Sequence, residues 1–326
     1  MLKNESESEL RVRYNDVNRG VYFIGTTPPK SDTPIEMVEG IAEKLLDRVS
    51  DIDIDGLIVY DIQDENSRTQ KPRPFPFKTT HDARLYSSLL NKKSSRPVIT
   101  YKSVVQSNAD DFNAWADEAW ETYGVRDVVL VGSPSKNNEI SLSLDKAYQT
   151  LVNNQHNFFI GGVTIAERHT SKGNEHERLI EKHQQGCNFF ISQAIYNPQA
   201  TIDKLTRYAI ECQKLGIKPQ RIILTFSPCG SEKTLEFIDW LGVSVPEATS
   251  LRILNAEKPL YESIRICHNS LKQILDAVIP YSLPLGLNIE SLTNRKEEID
   301  GSILLYKLLR STMDNYLIKQ ELDNYF

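Results

Sequence analysis

The side chains best suited to chemistry are concentrated in the segment GGVTIAERHTSKGNEHERLIEKHQQGCNFFISQAIYN, residues 161–197. Glu167 and His169 stand two positions apart, offering a carboxylate and an imidazole. Glu175 and Glu177 open a helical stretch, where negative charge complements the helix dipole. Lys182, toward its end, can neutralise a phosphate. Gln193 presents both a donor and an acceptor to a heteroaromatic edge, and Tyr196 adds a phenol. Together these groups suit a large polar ligand carrying a phosphate and a heteroaromatic ring. His169, His176 and His183 fall seven apart, but a metal centre needs three or four convergent ligands with carboxylates at matching offsets. The spacing reads as a solvated helix face, and no metal is expected.

Such residues act only if elements bring them together, and the chain supplies those elements in a regular order. From residue 21 onward, short apolar runs alternate with segments of helical periodicity, the pattern of βαβ units. Eight strands are predicted, beginning at VYFIGTTPP, GLIVYDIQ, RPVITYKSVV, DVVLVGSPS, FFIGGVTIA, NFFISQAIY, RIILTFSPC and LPLGLNIES. Helices are expected near 34–49, 81–92, 108–123, 144–153, 174–185, 200–215, 232–241 and 296–313, with two more helices between strands seven and eight. Uniformly apolar strands buried by helices on both faces are what a parallel barrel requires. The expectation is one (β/α)8 barrel over residues 21–313, preceded by an extension, 1–20, and followed by a tail, 314–326, that either prolongs the last helix or packs on a neighbouring subunit.

In such a barrel the chemistry lies at the C-terminal strand ends. That rule nominates Thr26 and Thr27; Asp61, Gln63, Asp64 and Glu65; Lys102; Ser133; Glu167 and His169; Gln193 and Tyr196; Ser227; and Glu290.

Composition narrows the partners. Thirty-eight Lys and Arg against 44 Asp and Glu leave a net charge of −6 with no basic block, which argues against nucleic acid. Neither a secretory signal nor an apolar run of membrane-spanning length is read, so a cytoplasmic protein is expected. Cys187, Cys212, Cys229 and Cys267 form no C-x-x-C pair and read as core thiols. No G-x-G-x-x-G follows a strand and no Walker-type phosphate loop occurs; Gly161-Gly162 marks a close approach instead.

The order and spacing of these motifs resemble the methylenetetrahydrofolate reductase family of flavin-dependent (β/α)8 barrels. The likeness rests on Glu167-Arg168-His169 after strand five, Lys182 to Gly186-Cys187 at the helix end, and Ser192-Gln193 with Tyr196-Asn197 after strand six. Pro28-Pro29, the Leu130, Gly132, Pro134 step, Gly242 to Pro246 and the stretch Gly286 to Arg295 extend it over nearly the whole chain. The resemblance implies an FAD at the C-terminal face, with NAD(P)H as electron donor and a folate as substrate, reducing 5,10-methylenetetrahydrofolate to 5-methyltetrahydrofolate. It assigns Glu167, His169, Glu175 and Lys182 to the cofactor and Gln193 and Tyr196 to the substrate. A homo-oligomer is a further implication.

Two carboxylates of the family pattern are missing. The strand-one Glu falls on Gly25, and the Asp after strand four falls on Ser133. The Glu is the group expected to protonate the substrate, help worth roughly 10² to 10⁴ in rate. Asp61, Asp64, Glu65 and Glu290 lie where a replacement acid could enter; Asp61 is selected as the catalytic candidate because alternation from Leu57 and Val59 carries it to the mouth, the competing role being a salt bridge to Arg68 or Arg73. Without a replacement acid, the chain is a folate- or flavin-binding barrel lacking reductase activity. A metal-dependent lyase or hydrolase using Glu167, His169 and Asp61 is a third reading.

Overall fold

The computed structural model describes residues 10–64, 69–105, 107–132 and 142–323. Glu65, Arg68, Ser133 and Pro134 lie outside these residues, as do 1–9 and 324–326. Eight strands close into a barrel in sequential order: β1 (Tyr22–Thr26), β2 (Gly56–Val59), β3 (Val98–Ser103), β4 (Asp127–Val131), β5 (Phe159–Thr164), β6 (Phe189–Ala194), β7 (Arg221–Phe226) and β8 (Leu285–Glu290). Between and after them run α1 (Ile35–Arg48), α2 (Ala83–Ser94), α3 (Ala109–Glu121), α4 (Leu144–Asn153), α5 (Ala166–Lys172), α6 (Glu175–Gln184), α7 (Pro198–Leu215), α8 (Glu232–Trp240), α9 (Glu247–Leu254), α10 (Pro259–Val278) and α11 (Lys296–Asp323). The fold is the (β/α)8 barrel read from the sequence, with α9 and α10 as the expected pair before β8.

The chain divides into two compact units. One comprises residues 23–163 and 182–189. Its strands pair in parallel, with Val59 beside Thr100 and Val129 beside Gly161. A side chain at Gly161 would stand 2.5 Å from the Phe189 ring and 2.9 Å from Val129, so this position must stay bare for Phe189 to pack. The close approach read from Gly161-Gly162 is thus a packing device.

The other unit comprises residues 10–22, 164–181 and 190–323. Its β8 meets Val21 through a Leu287 N–H to Val21 C=O bond of 2.8 Å, and a Cβ on Gly286 would fall 2.5 Å from Val21 Cγ2. Arg221, at the start of β7, is 1% exposed. Its guanidinium donates to the carbonyls of Arg13, Tyr14, Asp16, Arg19 and Leu285, and so pins the N-terminal stretch to the base of β7 and β8.

Two differences from the sequence reading, and one choice it left open, have local causes. Pro34, expected inside the first helix, is its cap residue with extended backbone, and α1 starts at Ile35. The loop after β5 contains an extra helix, α5, which ends where Gly173 adopts a left-handed φ of 71°. Finally α11 runs on to Asp323: Met313 and Leu317 are buried and Tyr316 donates to Asp276 of α10 at 2.7 Å, so the tail extends the last helix. All four cysteines are buried and free, and burial pushes the thiols of Cys187, Cys229 and Cys267 up to about 12.

Replacing Arg221 with Met leaves several buried carbonyls without a donor, each a loss of roughly 1–3 kcal/mol before relaxation. Urea denaturation should show a loss of about 3 kcal/mol or more, with residues 10–19 becoming the first site of proteolysis.

Candidate functional site

At the ends of β2 and β3 the register decides which residues meet. Extending the Val59–Thr100 pairing by two residues sets Asp61 beside Lys102 on one face and Tyr60 beside Tyr101 on the other. Thr100 donates to Ser87 of α2 at 2.8 Å, so the Asp61–Lys102 face is the one turned toward the helices. Alternation thus carries Asp61 to the strand end but onto the helix side, where Oδ2 accepts from the Ser103 N–H at 2.8 Å and Oδ1 from Gln63 Nε2 at 2.7 Å. No ion pair joins it to Arg73 among the described residues. Tyr60 and Tyr101 meet edge-on with centroids 4.7 Å apart, on the inward face that also carries Gly25 beside Ile58. Gly25 therefore offers no side chain where the reductase pattern has its acid.

In the segment after β5 the chemistry-bearing residues mostly serve the protein itself. Glu175 is fully buried; Oε1 accepts from the Ile165 N–H at 3.0 Å, and Oε2 lies 3.4 Å from Arg178 Nε. Lys182 is 6% exposed, and its ammonium donates to the Val163 carbonyl at 2.6 Å. Glu167 Oε1 accepts from the Ser244 N–H at 2.9 Å. His169 differs. It is half-buried, stands 5.2 Å from the His176 ring, and its Nδ1 has no hydrogen-bond partner. Three of the four residues assigned to a flavin dinucleotide are thus engaged internally, two of them deep in the protein. A buried lysine tied to a carbonyl does not offer its charge to a pyrophosphate. The residue set does not fit FAD as it stands.

Past β6, Gln193 donates through Nε2 to the Leu241 carbonyl at 2.7 Å, leaving its oxygen as an acceptor, and Ser192 Oγ accepts from the Thr225 N–H at 2.8 Å. Tyr196 is 1% exposed and donates to the Ser227 carbonyl at 2.6 Å; burial holds its phenol well above the usual value. It does not present its hydroxyl to a ligand. Beyond β7 and β8, where barrels often cradle phosphate, the Glu298 carboxylate accepts from Gly230 N–H (2.9 Å) and Thr234 Oγ1 (2.8 Å) and also bonds Thr293. That anion already fills the cradle, and sequence reading missed it because Glu298 looks like an ordinary first-turn acid of α11. A shallow cleft lined by Ser87, Asn91, Val98 and Tyr123 lies at the opposite, N-terminal end of β3. No group of three His, Cys, Asp or Glu side chains capable of holding a metal occurs among the described residues, and no described helix is long and apolar enough to cross a membrane.

No protein-family model and no curated protein matches the chain. Among solved structures it is similar to an uncharacterized protein from Clostridium thermocellum that binds two copies of 5-methyl-5,6,7,8-tetrahydrofolic acid, at 33% identity and a TM-score of 0.78, covering 92% of this chain and 97% of the other. The chain belongs to that protein's family. Dihydropteroate synthase of Xanthomonas albilineans is far more distant, at 10% identity and a TM-score of 0.46 over 91% of this chain and 94% of the other. So is a 2,3-dimethylmalate lyase, at 13% and 0.44 over 83% and 98%. Neither distant likeness carries weight. The likeness to the Clostridium thermocellum protein runs over nearly the full length of both chains.

Burial, the largest cause in each case, holds His169, His183 and His268 below the ordinary histidine value. The unfolded chain, with histidines near 6.5, then takes up protons more readily than the native state. Stability should fall as pH drops through about 6.5, seen as a decrease in Tm between pH 7.5 and 5.5 that His169→Gln partly removes. A flat Tm over that range contradicts the assignment.

Proposed function

We propose that the protein binds a reduced folate of the 5-methyltetrahydrofolate class at the C-terminal end of its barrel and does so without a flavin. The observation that carries this reading is the relative at 33% identity over 92% of the chain, itself a binder of 5-methyltetrahydrofolate. The Gln193 carbonyl oxygen, fixed by the amide's bond to Leu241, is suited to accept from a pterin N–H. Gly25 and the internal engagement of Glu175 and Lys182 support the absence of flavin chemistry.

The second reading is FAD-dependent reduction of 5,10-methylenetetrahydrofolate with NAD(P)H. The order of the motifs from Glu167 to Asn197 favours it. It requires an acid in place of Gly25 and release of Lys182 from Val163.

Anaerobic calorimetry with 5-methyltetrahydrofolate should give saturable binding, weakened about tenfold by Gln193→Ala, in line with the roughly 1.5 kcal/mol of one ligand hydrogen bond. FAD added to the same protein should keep its free fluorescence, and NAD(P)H should not be oxidised. Absence of folate heat overturns the binding reading; flavin quenching with folate-dependent turnover replaces it with the reductase.

A further inference from the structure

A helix at the surface of a globular domain carries one apolar stripe, turned to the core, and polar residues opposite it. The last helix, α11, carries two. Leu305, Leu309, Met313 and Leu317 form its buried side. On the other side Leu304, Leu308, Ser311, Asn315, Ile318 and Leu322 succeed one another at steps of four, three, four, three and four. At 3.6 residues per turn these six stay within about 40° of one line along the helix, opposite the buried set. Leu304, Ile318 and Leu322 are 46%, 57% and 53% exposed, and Ser311 and Asn315 are exposed with them. Alternating steps of three and four are the heptad pattern by which two helices pair.

Two features say what covers this stripe. Its order is self-complementary: with a second copy turned end for end, Leu322 of that copy faces Leu304, Ile318 faces Leu308 and Asn315 faces Ser311. Apolar residues then meet at both ends and polar ones at the centre. A polar residue in such a seam fixes the register, because a slip by one heptad sets Asn315 against Leu304 or Ile318. The flanking charges agree with the same register. Exposed Lys307 comes beside exposed Glu321 of the second copy, and two-fold symmetry makes the pair twice. Asp314, which comes level with its own counterpart, is already bonded to Tyr22 and Arg310.

The stripe is also held in place from behind. Tyr316 donates to Asp276 at 2.7 Å, Gln320 Nε2 donates to the Ile279 carbonyl at 3.2 Å, and His268 bonds Thr312 at 3.0 Å. These bonds fasten the second half of α11 to α10 and the residues after it, so little freedom is lost when the open face is covered.

We propose that α11 is the dimer interface of this protein: two copies pair antiparallel along the stripe, in an isologous two-fold contact. The seam spans about 27 Å of helix. Its six positions are fewer than the roughly 20–30 residues a side of a stable interface, so the dimer assembles in the micromolar range. No seam residue belongs to the folate reading, and the interface does not depend on it.

Sedimentation equilibrium of the intact chain over about 1 to 200 μM tests the interface. The mass should rise from one chain to two across the series. Ile318→Glu removes two Ile–Leu contacts at once and should raise the dissociation constant about a hundredfold, with the circular dichroism spectrum unchanged because the position is exposed. Lys307→Glu and Glu321→Lys each set like charges together and should each weaken the dimer several-fold. Mixing those two variants makes both charge pairs attractive again and should restore the wild-type mass. The rescue is specific to the antiparallel register, since in a parallel pair positions 307 and 321 never meet. A wild-type chain that stays monomeric at the highest concentration, the result expected if the stripe serves a different protein, overturns the proposal. So does a dimer indifferent to Ile318→Glu, or a mixture that fails to recover.

Discussion

The parallel register between β2 and β3 is the constraint on which the reading of this barrel depends. Because side chains alternate with a period of two, pairing Val59 with Thr100 fixes the destination of everything that follows on both strands. Asp61 and Lys102 go to the helix side, and Tyr60 and Tyr101 go to the inner face. The same alternation places Gly25 inward beside Ile58. A slip of β2 by one residue against β3 would turn Asp61 to the inner face and Tyr60 to the helices.

A second theme is that polar residues in the loops hold the scaffold before they can hold a ligand. Arg221 gathers carbonyls from the N-terminal stretch, and Glu298 gathers donors from the loops after β7 and β8. Glu175 and Lys182 bind backbone groups at the end of β5. Each resolves a buried polar group that would otherwise cost free energy. Residue types that would bind a dinucleotide in an open crevice serve here as internal staples, which is why a motif-level likeness to flavin reductases and a fold-level kinship with a methylfolate binder can coexist in one chain.

The barrel was legible in the sequence because its signal is collective. Runs such as RIILTF and DVVLV alternate with helical segments often enough that no single ambiguity matters, and Leu144–Asn153 falls where the pattern placed it. The seven residues of α5, AERHTSK, carry too little apolar periodicity to announce a helix, and the tail's pattern suited a longer last helix and a subunit contact equally, of which the Tyr316 bond to Asp276 of α10 establishes the first. The site was legible only by residue type. That Tyr196 would donate to Ser227, or Glu167 accept from Ser244, depends on contacts between residues tens of positions apart, which no local pattern encodes. Lys102 was nominated by strand position alone; the Arg84 guanidinium and the Trp115 ring around it come from α2 and α3.

The small molecule that the protein carries when it is isolated from cells distinguishes a folate binder from a flavoprotein most directly. Gentle purification followed by denaturation and mass spectrometry of the released small molecules should yield a reduced, methylated folate from colourless protein. Release of stoichiometric flavin dinucleotide from a yellow preparation would contradict it.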